Sequence, residues 1–266
     1  MLTVGIAGLG AIGLPLARAL DRGVDGLRLI AVAGRDSIKA RGLVADFRAP
    51  PEIVPVHALA RADIVLEAAP ASAFEAIAIP ALEAGCIFVP SSVGALLPRM
   101  FLIELARAHG ARIVVPTGAL LGLDAVRACA EGNVDRVSIE SRKPPLGWVG
   151  APYLVAHGID VAAITTPTMI FEGNAFDAAA GFPANVNVAA ALALAGIGPE
   201  RTTVRLWADP GVDRNIHTIR VEADAARLTM TVENVPSEGN PRTGKLTPLS
   251  VLACLRGLTS VLKIGS

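Results

Sequence analysis

Leu2-Thr3-Val4-Gly5-Ile6-Ala7-Gly8-Leu9-Gly10-Ala11-Ile12-Gly13 is the stretch on which the fold turns. Its first half is short and apolar, the pattern of a buried strand. The glycines of its second half each have a physical task. Gly8 permits a tight turn, Gly10 lets backbone approach a pyrophosphate with no Cβ in the way, and Gly13 lets the next helix pack closely on the strand. That helix runs through Leu16, Ala17 and Leu20 and stops at Gly23. Its N-terminus offers free N–H groups and a positive dipole end to phosphate. A strand before and a helix after turn this spacing from a Gly-rich turn into a dinucleotide signal. Gly8, Gly10, Ala11, Ile12 and Gly13 are the cofactor-binding candidates of the loop.

A second strand is expected over Leu27 to Ala33. Where NAD is preferred, an acidic residue about 20 positions past the glycines takes the ribose 2′-hydroxyl. Gly34 stands at that point, followed by Arg35 and Asp36. A missing carboxylate and an added guanidinium make room for a 2′-phosphate, with Arg41 as support. The expectation is NAD or NADP, with dual specificity or an NADP preference, and Asp36 keeps NAD open. A solvated surface role for Arg35 is the alternative.

Outward from this unit the alternation continues. Strands are expected at Asp63–Glu67, Cys86–Val89 and Arg112–Val115, and helices at Phe74–Ala84 and about Arg99–His109. Such alternation predicts a doubly wound parallel sheet of Rossmann type. Ala68-Ala69-Pro70 and Pro90-Ser91-Ser92-Val93 follow strand ends, where such sheets bind ligands.

After Val115 the pattern changes. A helix is expected to open at Thr117-Gly118-Ala119 and run to Ala130, and another spans about Asn187–Ala195. Strands are expected at Arg136–Glu140, Thr203–Ala208, Ile216–Ala223 and Leu228–Glu233. The last helix should start near Thr247-Pro248, a cap and first-turn pair, and end near Lys263. The fold class is therefore α/β: an N-terminal Rossmann domain over residues 1–116 and a C-terminal α+β substrate domain over 117–245, built on a mostly antiparallel sheet. Residues 246–266 form a C-terminal helix expected to pack back on the first domain.

Composition narrows the function classes. With 24 basic and 24 acidic residues the formal charge is zero, which argues against a nucleic-acid surface built on phosphate neutralisation. The longest apolar run, Val188–Ile197, is too short to span a bilayer, and no basic segment precedes an apolar run at the N-terminus, so neither a membrane partner nor a signal peptide is expected. Cys86, Cys129 and Cys254 are odd in number and widely spaced. They suit buried thiols of a reducing, cytoplasmic compartment better than a disulfide frame, and no metal site is expected.

The chemistry concentrates in Ala208-Asp209-Pro210-Gly211-Val212-Asp213-Arg214-Asn215-Ile216-His217, a polar loop entering a strand. By strand periodicity His217, Ile219 and Val221 share one face, and Thr218, Arg220 and Glu222 the other. An imidazole turned inward beside polar groups suggests acid–base chemistry near neutral pH. A core histidine satisfied by backbone is the alternative. Asn187 opens a helix, where an asparagine is ordinarily a cap, though its carboxamide could equally meet that of a nicotinamide. Arg142, Lys143, Arg214, Arg242 and Lys245 are cations available to substrate carboxylates.

Gly8–Gly13, Arg142-Lys143-Pro144-Pro145, Phe182-Pro183-Ala184-Asn185-Val186-Asn187, Asp209–His217 and Asn234-Val235-Pro236 with Asn240-Pro241-Arg242-Thr243 occur in that order. The set resembles the L-aspartate dehydrogenase family over essentially the whole chain. The resemblance implies nicotinamide-dependent oxidation of L-aspartate to iminoaspartate, which hydrolyses to oxaloacetate and ammonia or feeds NAD biosynthesis through quinolinate. It also implies that His217 is the active-site histidine, and that Asn187 and the segment Gly118-Ala119-Leu120-Leu121 contact the cofactor, which adds Ala119 and Leu121 to the candidates. A homodimer acting on a small molecule is expected. This sequence departs from the family at Gly34, where an acidic residue is usual, at Glu238-Gly239-Asn240 in place of Pro-Glu-Asn, and at Gly244 in place of serine. Two readings of other kinds stay open: a dihydrodipicolinate- or homoserine-type oxidoreductase, and a non-catalytic nucleotide sensor.

Overall fold

In the computed structural model the described residues are 1–237 and 240–265, with the side chains of 240–243 excepted. The chain divides into two compact units: Met1–Ser92, Arg99–Pro116 and Thr247–Ser266 form the first, and Val93–Pro98 with Thr117–Leu246 the second. In chain order the elements begin β1 (Leu2–Ala7), α1 (Gly13–Arg22), β2 (Leu27–Ala33), α2 (Ser37–Val44), β3 (Glu52–Ile53), β4 (Ile64–Glu67) and α3 (Phe74–Glu83). They continue β5 (Ile87–Pro90), α4 (Val93–Leu96), α5 (Phe101–Ala108), β6 (Arg112–Ile113), α6 (Leu123–Ala130), β7 (Val134–Lys143), α7 (Pro152–Ala156), β8 (Thr168–Asn174) and α8 (Ala175–Gly181). The remainder is α9 (Asn187–Ala195), β9 (Thr202–Ala208), β10 (Asn215–Ala223), β11 (Arg227–Asn234), β12 (Pro236–Ser237), β13 (Asn240–Gly244) and α10 (Leu246–Gly257).

Unit 1 is a six-stranded sheet in the order β3-β2-β1-β4-β5-β6 with every pair parallel. This is the doubly wound order of dinucleotide-binding folds, and it reverses between β1 and β4. Strands covered on both faces read as continuous apolar runs, as β4 does in Ile64-Val65-Leu66. Val4, Ile6, Leu16, Leu20, Leu29 and Leu66 join Val251 and Leu255 of α10 in one core. The C-terminal helix thus belongs to the first unit's interior.

Unit 2 holds a five-stranded mixed sheet in the order β11-β10-β7-β9-β8, in which only β7 and β9 run parallel. Its covered face carries Val137, Ile139, Ser141 and Lys143 of β7 beside Val221, Ile219 and His217 of β10, all buried. No helix among the described residues is long and apolar enough to cross a membrane.

Three local expectations fail for identifiable reasons. The helix expected from Thr117 begins only at Leu123, because Gly118 and Gly122 adopt φ of 66° and 70°, which no right-handed helix accepts. The last helix starts at Leu246, so Thr247 lies inside it, and it ends at Gly257 well short of Lys263. There Thr259 Oγ1 turns to donate to the Asp25 carbonyl at 2.8 Å, beside Gly26 with its φ of 77°. Edge strand β8 was not anticipated. Its buried residues Ile170 and Phe171 are adjacent where the register shifts, so no alternation marks it.

Candidate functional site

In unit 1 the glycine loop follows β1 directly. Gly8 has a φ of 93°, and a Cβ there would lie 2.4 Å from the Ala68 carbonyl oxygen, so only glycine lets the loops after β1 and β4 approach. A Cβ on Gly13 would fall 1.8 Å from the Gly8 oxygen. Gly10 is different: a Cβ there meets nothing within 4 Å, leaving open space over the exposed backbone. α1 opens after Ile12 with no side-chain cap. Its Leu14 amide already donates to the Gly10 carbonyl at 3.1 Å and Pro15 has no N–H, so the amides left for an anion are those of the glycine turn itself. Ala11 and Ile12 line this turn, half-buried. These residues fit a dinucleotide pyrophosphate.

Past β2, Gly34 is half-buried, and Arg35 and Arg41 are exposed. Asp36 is committed locally: its Oδ1 accepts the Ile38 and Lys39 amides at 3.0 Å and so caps α2. It is therefore a helix cap first and a ribose acceptor at most with its second oxygen.

A residue that sequence reasoning missed sits at the end of β4. Glu67 is wholly buried. Its Oε1 accepts the Ala69 amide at 3.0 Å and the Ser92 hydroxyl at 3.0 Å, while Oε2 accepts the Ser92 amide at 2.9 Å. Burial raises its pKa above the usual carboxylate value against those hydrogen bonds. Glu67 ties together the two small-residue loops past the strand ends. The available signal was a carboxylate closing an otherwise apolar strand.

In unit 2, His217 lies opposite Ser141 in the register of β10 and β7, and its Nδ1 shares a 2.8 Å hydrogen bond with Ser141 Oγ. The side chain is 3% exposed. Burial first, and then the charge of Lys143, pushes its pKa down to about 3, so it rests as neutral imidazole. Lys143 is two residues beyond Ser141 on the same face and is 6% exposed. Its Nζ donates to Asn185 Oδ1 at 2.8 Å and stands 4.6 Å from the centre of the buried Trp148 ring. Burial alone brings its pKa down to about 7.

Arg142 and Arg214 fall elsewhere. Arg142 projects from the opposite face of β7, pairs with Glu140 at 2.9 Å and Asp209 at 3.2 Å, and lies over Trp207. Arg214 pairs with its neighbour Asp213 at 2.7 Å. Lys245 is exposed just before α10, and the Arg242 side chain lies outside the described residues. Residues 238 and 239 lie outside them as well, whereas Gly244 is buried. Among the described residues, Lys143 is the cation that the sheet register places on the face of His217.

Asn187 is the first residue of α9 and does not cap it. Its Oδ1 accepts the Gly94 amide at 2.9 Å, and its Nδ2 has no partner among the described residues. Ala119 is half-buried and Leu121 is 54% exposed. Buried Asn234 donates from Nδ2 to the Ala119 carbonyl at 3.1 Å, a second contact that the sequence did not reveal.

Residues 8–116 match the family described as homoserine dehydrogenase, NAD binding domain, and residues 124–258 match that described as aspartate dehydrogenase, C-terminal. The chain is 52% identical over 266 residues to an L-aspartate dehydrogenase of Bradyrhizobium diazoefficiens, covering 100% of this chain and 94% of that protein. The chain belongs to the L-aspartate dehydrogenase family. It is 44% identical to an L-aspartate dehydrogenase of Methanocella arvoryzae, with both chains covered in full. The crystal structure of aspartate dehydrogenase from Thermotoga maritima superposes with a TM-score of 0.75 at 26% identity, covering 100% of each chain. A hyperthermophilic archaeal homoserine dehydrogenase in complex with NADPH shares the fold, with a TM-score of 0.60 at 14% identity over 97% of each chain. The protein is an oxidoreductase with a nicotinamide-nucleotide domain of Rossmann type.

Proposed function

We propose that this protein oxidises L-aspartate to iminoaspartate, which hydrolyses to oxaloacetate and ammonia or supplies NAD biosynthesis. The observation that carries the reading is the buried His217–Ser141 pair with Lys143 on one sheet face, in the half of the chain that matches the aspartate dehydrogenase C-terminal family. A nucleotide sensor has no use for such a cluster. A homoserine-type activity is supported only by the nucleotide domain, which many substrates share.

A bound oxidised nicotinamide supplies the acceptor for the hydride that leaves the substrate α-carbon. Gly8, Gly10, Ala11, Ile12 and Gly13 are proposed to hold its pyrophosphate, and Arg35 a 2′-phosphate where NADP is used. Ala119, Leu121 and Asn187 are proposed as further contacts, Asn187 through its available Nδ2 donor. His217 is proposed as the acid–base residue. With Nδ1–H donated to Ser141 Oγ, Nε2 keeps a lone pair for a proton. When water adds to the imine carbon, His217 takes a water proton and returns it to the nitrogen as the C–N bond breaks. The hydroxyl of that adduct gives its remaining proton to solvent as ammonia leaves, and the oxygen electron pair forms the ketone of oxaloacetate.

The test is cofactor reduction across an amino-acid panel with NAD and with NADP. L-Aspartate should stand out, and His217→Ala should lower turnover by about 10²–10⁴-fold with cofactor affinity unchanged. Full turnover in a destabilised variant would return His217 to the core. Dual cofactor use or an NADP preference follows from Gly34 and Arg35, so Gly34→Asp should shift preference toward NAD. A wild type that binds NAD far more tightly than NADP would remove that part. A reducing, cytoplasmic setting is supported by the free thiols of Cys86, Cys129 and Cys254. A homodimer is part of the proposal. Light scattering tests it.

A further inference from the structure

Lys143 is an unusual place for a charge. It lies in the interior of unit 2, and among the described residues no carboxylate pairs with it. Its neighbours are the neutral Asn185 carboxamide, the Trp148 ring and, across β9, Ala208. Asp209, one residue further along, gives its carboxylate to Arg142 Nη1 at 3.2 Å and to the Gly211 amide at 2.8 Å. Arg142 itself faces the other side of the sheet. Among the described residues of that sheet face the titratable neighbour is His217, near enough for the Lys143 charge to oppose its protonation.

Two proton tasks exist in the proposed reaction, and the two groups are unequal to them. The substrate ammonium must lose a proton before hydride can leave, and water must lose one as it attacks the imine. A base is most effective when its proton affinity lies near the working pH. His217, held near 3 by burial, cannot keep a proton taken from an ammonium. It suits only the water step, where the proton is passed on to nitrogen. A buried amine near 7 takes up and holds a proton at neutral pH. A carboxylate clamp would need a permanent charge, which this burial opposes.

We propose that Lys143 is a catalytic residue whose Nζ takes the proton from the substrate ammonium, leaving the water step to His217. The assignment rests on the proposed amino-acid oxidation. The ammonium N–H bond breaks, its electron pair stays on the substrate nitrogen, and the proton joins the Nζ lone pair to make Lys143 an ammonium. The freed nitrogen pair forms the C=N bond as hydride departs with the electrons of the Cα–H bond. Nζ then returns its proton to solvent, with Asn185 Oδ1 and the Trp148 ring holding the charged form meanwhile.

The experiment combines two variants and a measurement on the cofactor-free protein. Lysine carbons labelled with ¹³C at Cε should include one resonance that titrates near neutrality and vanishes in Lys143→Met. Lys143→Met and Lys143→Arg should each lose about 10²–10⁴-fold in kcat with KM for L-aspartate little changed, because arginine keeps the charge but cannot accept the proton. The acid limb of the wild-type pH profile should disappear in both. Wild-type kcat in Lys143→Arg, a rise in KM alone in Lys143→Met, or no lysine titrating below about pH 9 would overturn the assignment. A wild type that oxidises no amino acid would instead defeat the proposed function, and this role with it.

Discussion

His217 should make the second unit acid-labile through a single site, and the size of the effect follows from its burial. The imidazole titrates at 6.5 when exposed and at about 3 in the fold. A folded-state pKa below the unfolded one means that the unfolded chain binds the extra proton. Stability from this group is therefore complete above pH 6.5 and lost progressively as pH falls toward 3. Each pH unit in that window costs about 1.4 kcal/mol. Between about pH 7.5 and pH 4.5 the linkage removes about 2.5 kcal/mol, a large part of ordinary domain stability. The comparison protein is the double variant Ser141→Ala/His217→Leu, which leaves neither partner of the 2.8 Å hydrogen bond orphaned. Other titrating groups occur in both proteins and cancel in the difference. Both tryptophans, Trp148 and Trp207, belong to unit 2, so indole fluorescence during urea unfolding reports on that unit. The stability gap between wild type and variant should move by about 2.5 kcal/mol in favour of the variant as pH falls across the window. A gap independent of pH would refute a buried neutral imidazole at this position.

The first unit supports two further expectations. Gly10→Val should abolish binding of the nicotinamide dinucleotide while leaving thermal unfolding near wild type, since a Cβ there meets no protein atom within 4 Å; unchanged cofactor titration by calorimetry would remove the glycine loop from the site. Glu67→Gln should destabilise the fold by about 1–3 kcal/mol, because an amide NH₂ would face a backbone donor that now meets a carboxylate oxygen. Cofactor affinity should fall with it as the Ala69 and Ser92 amides lose their anchor, and wild-type stability and affinity in that variant would show that Glu67 orders nothing.

Much was legible because it depends on neighbours in sequence. The spacing of Gly8, Gly10 and Gly13 between a strand and a helix reports short-range backbone geometry, and the inward phase of His217 follows from strand periodicity. Where local signals misled, the cause was a backbone property or a contact absent from the pattern. Gly118 and Gly122 break an apparently helical run by positive φ, and β8 owes its strand state to pairing with β9.

By itself the sequence determined the class of fold, the glycine loop, the absence of an acidic residue at Gly34 and the candidate histidine. Tertiary structure decided which candidates act together. Arg142 and Lys143 are adjacent in sequence, yet the pleat sends one outward to Glu140, Asp209 and Trp207 and the other inward beside His217. Asp36 proved to be a helix cap, Asn187 an anchor for Gly94, and Glu67 a buried tie between two loops. A side chain's proton affinity depends on how much water its neighbours exclude, and those neighbours come from strands and loops far apart in the chain. The low proton affinities of Lys143 and His217 therefore exist only once the second unit has folded around them.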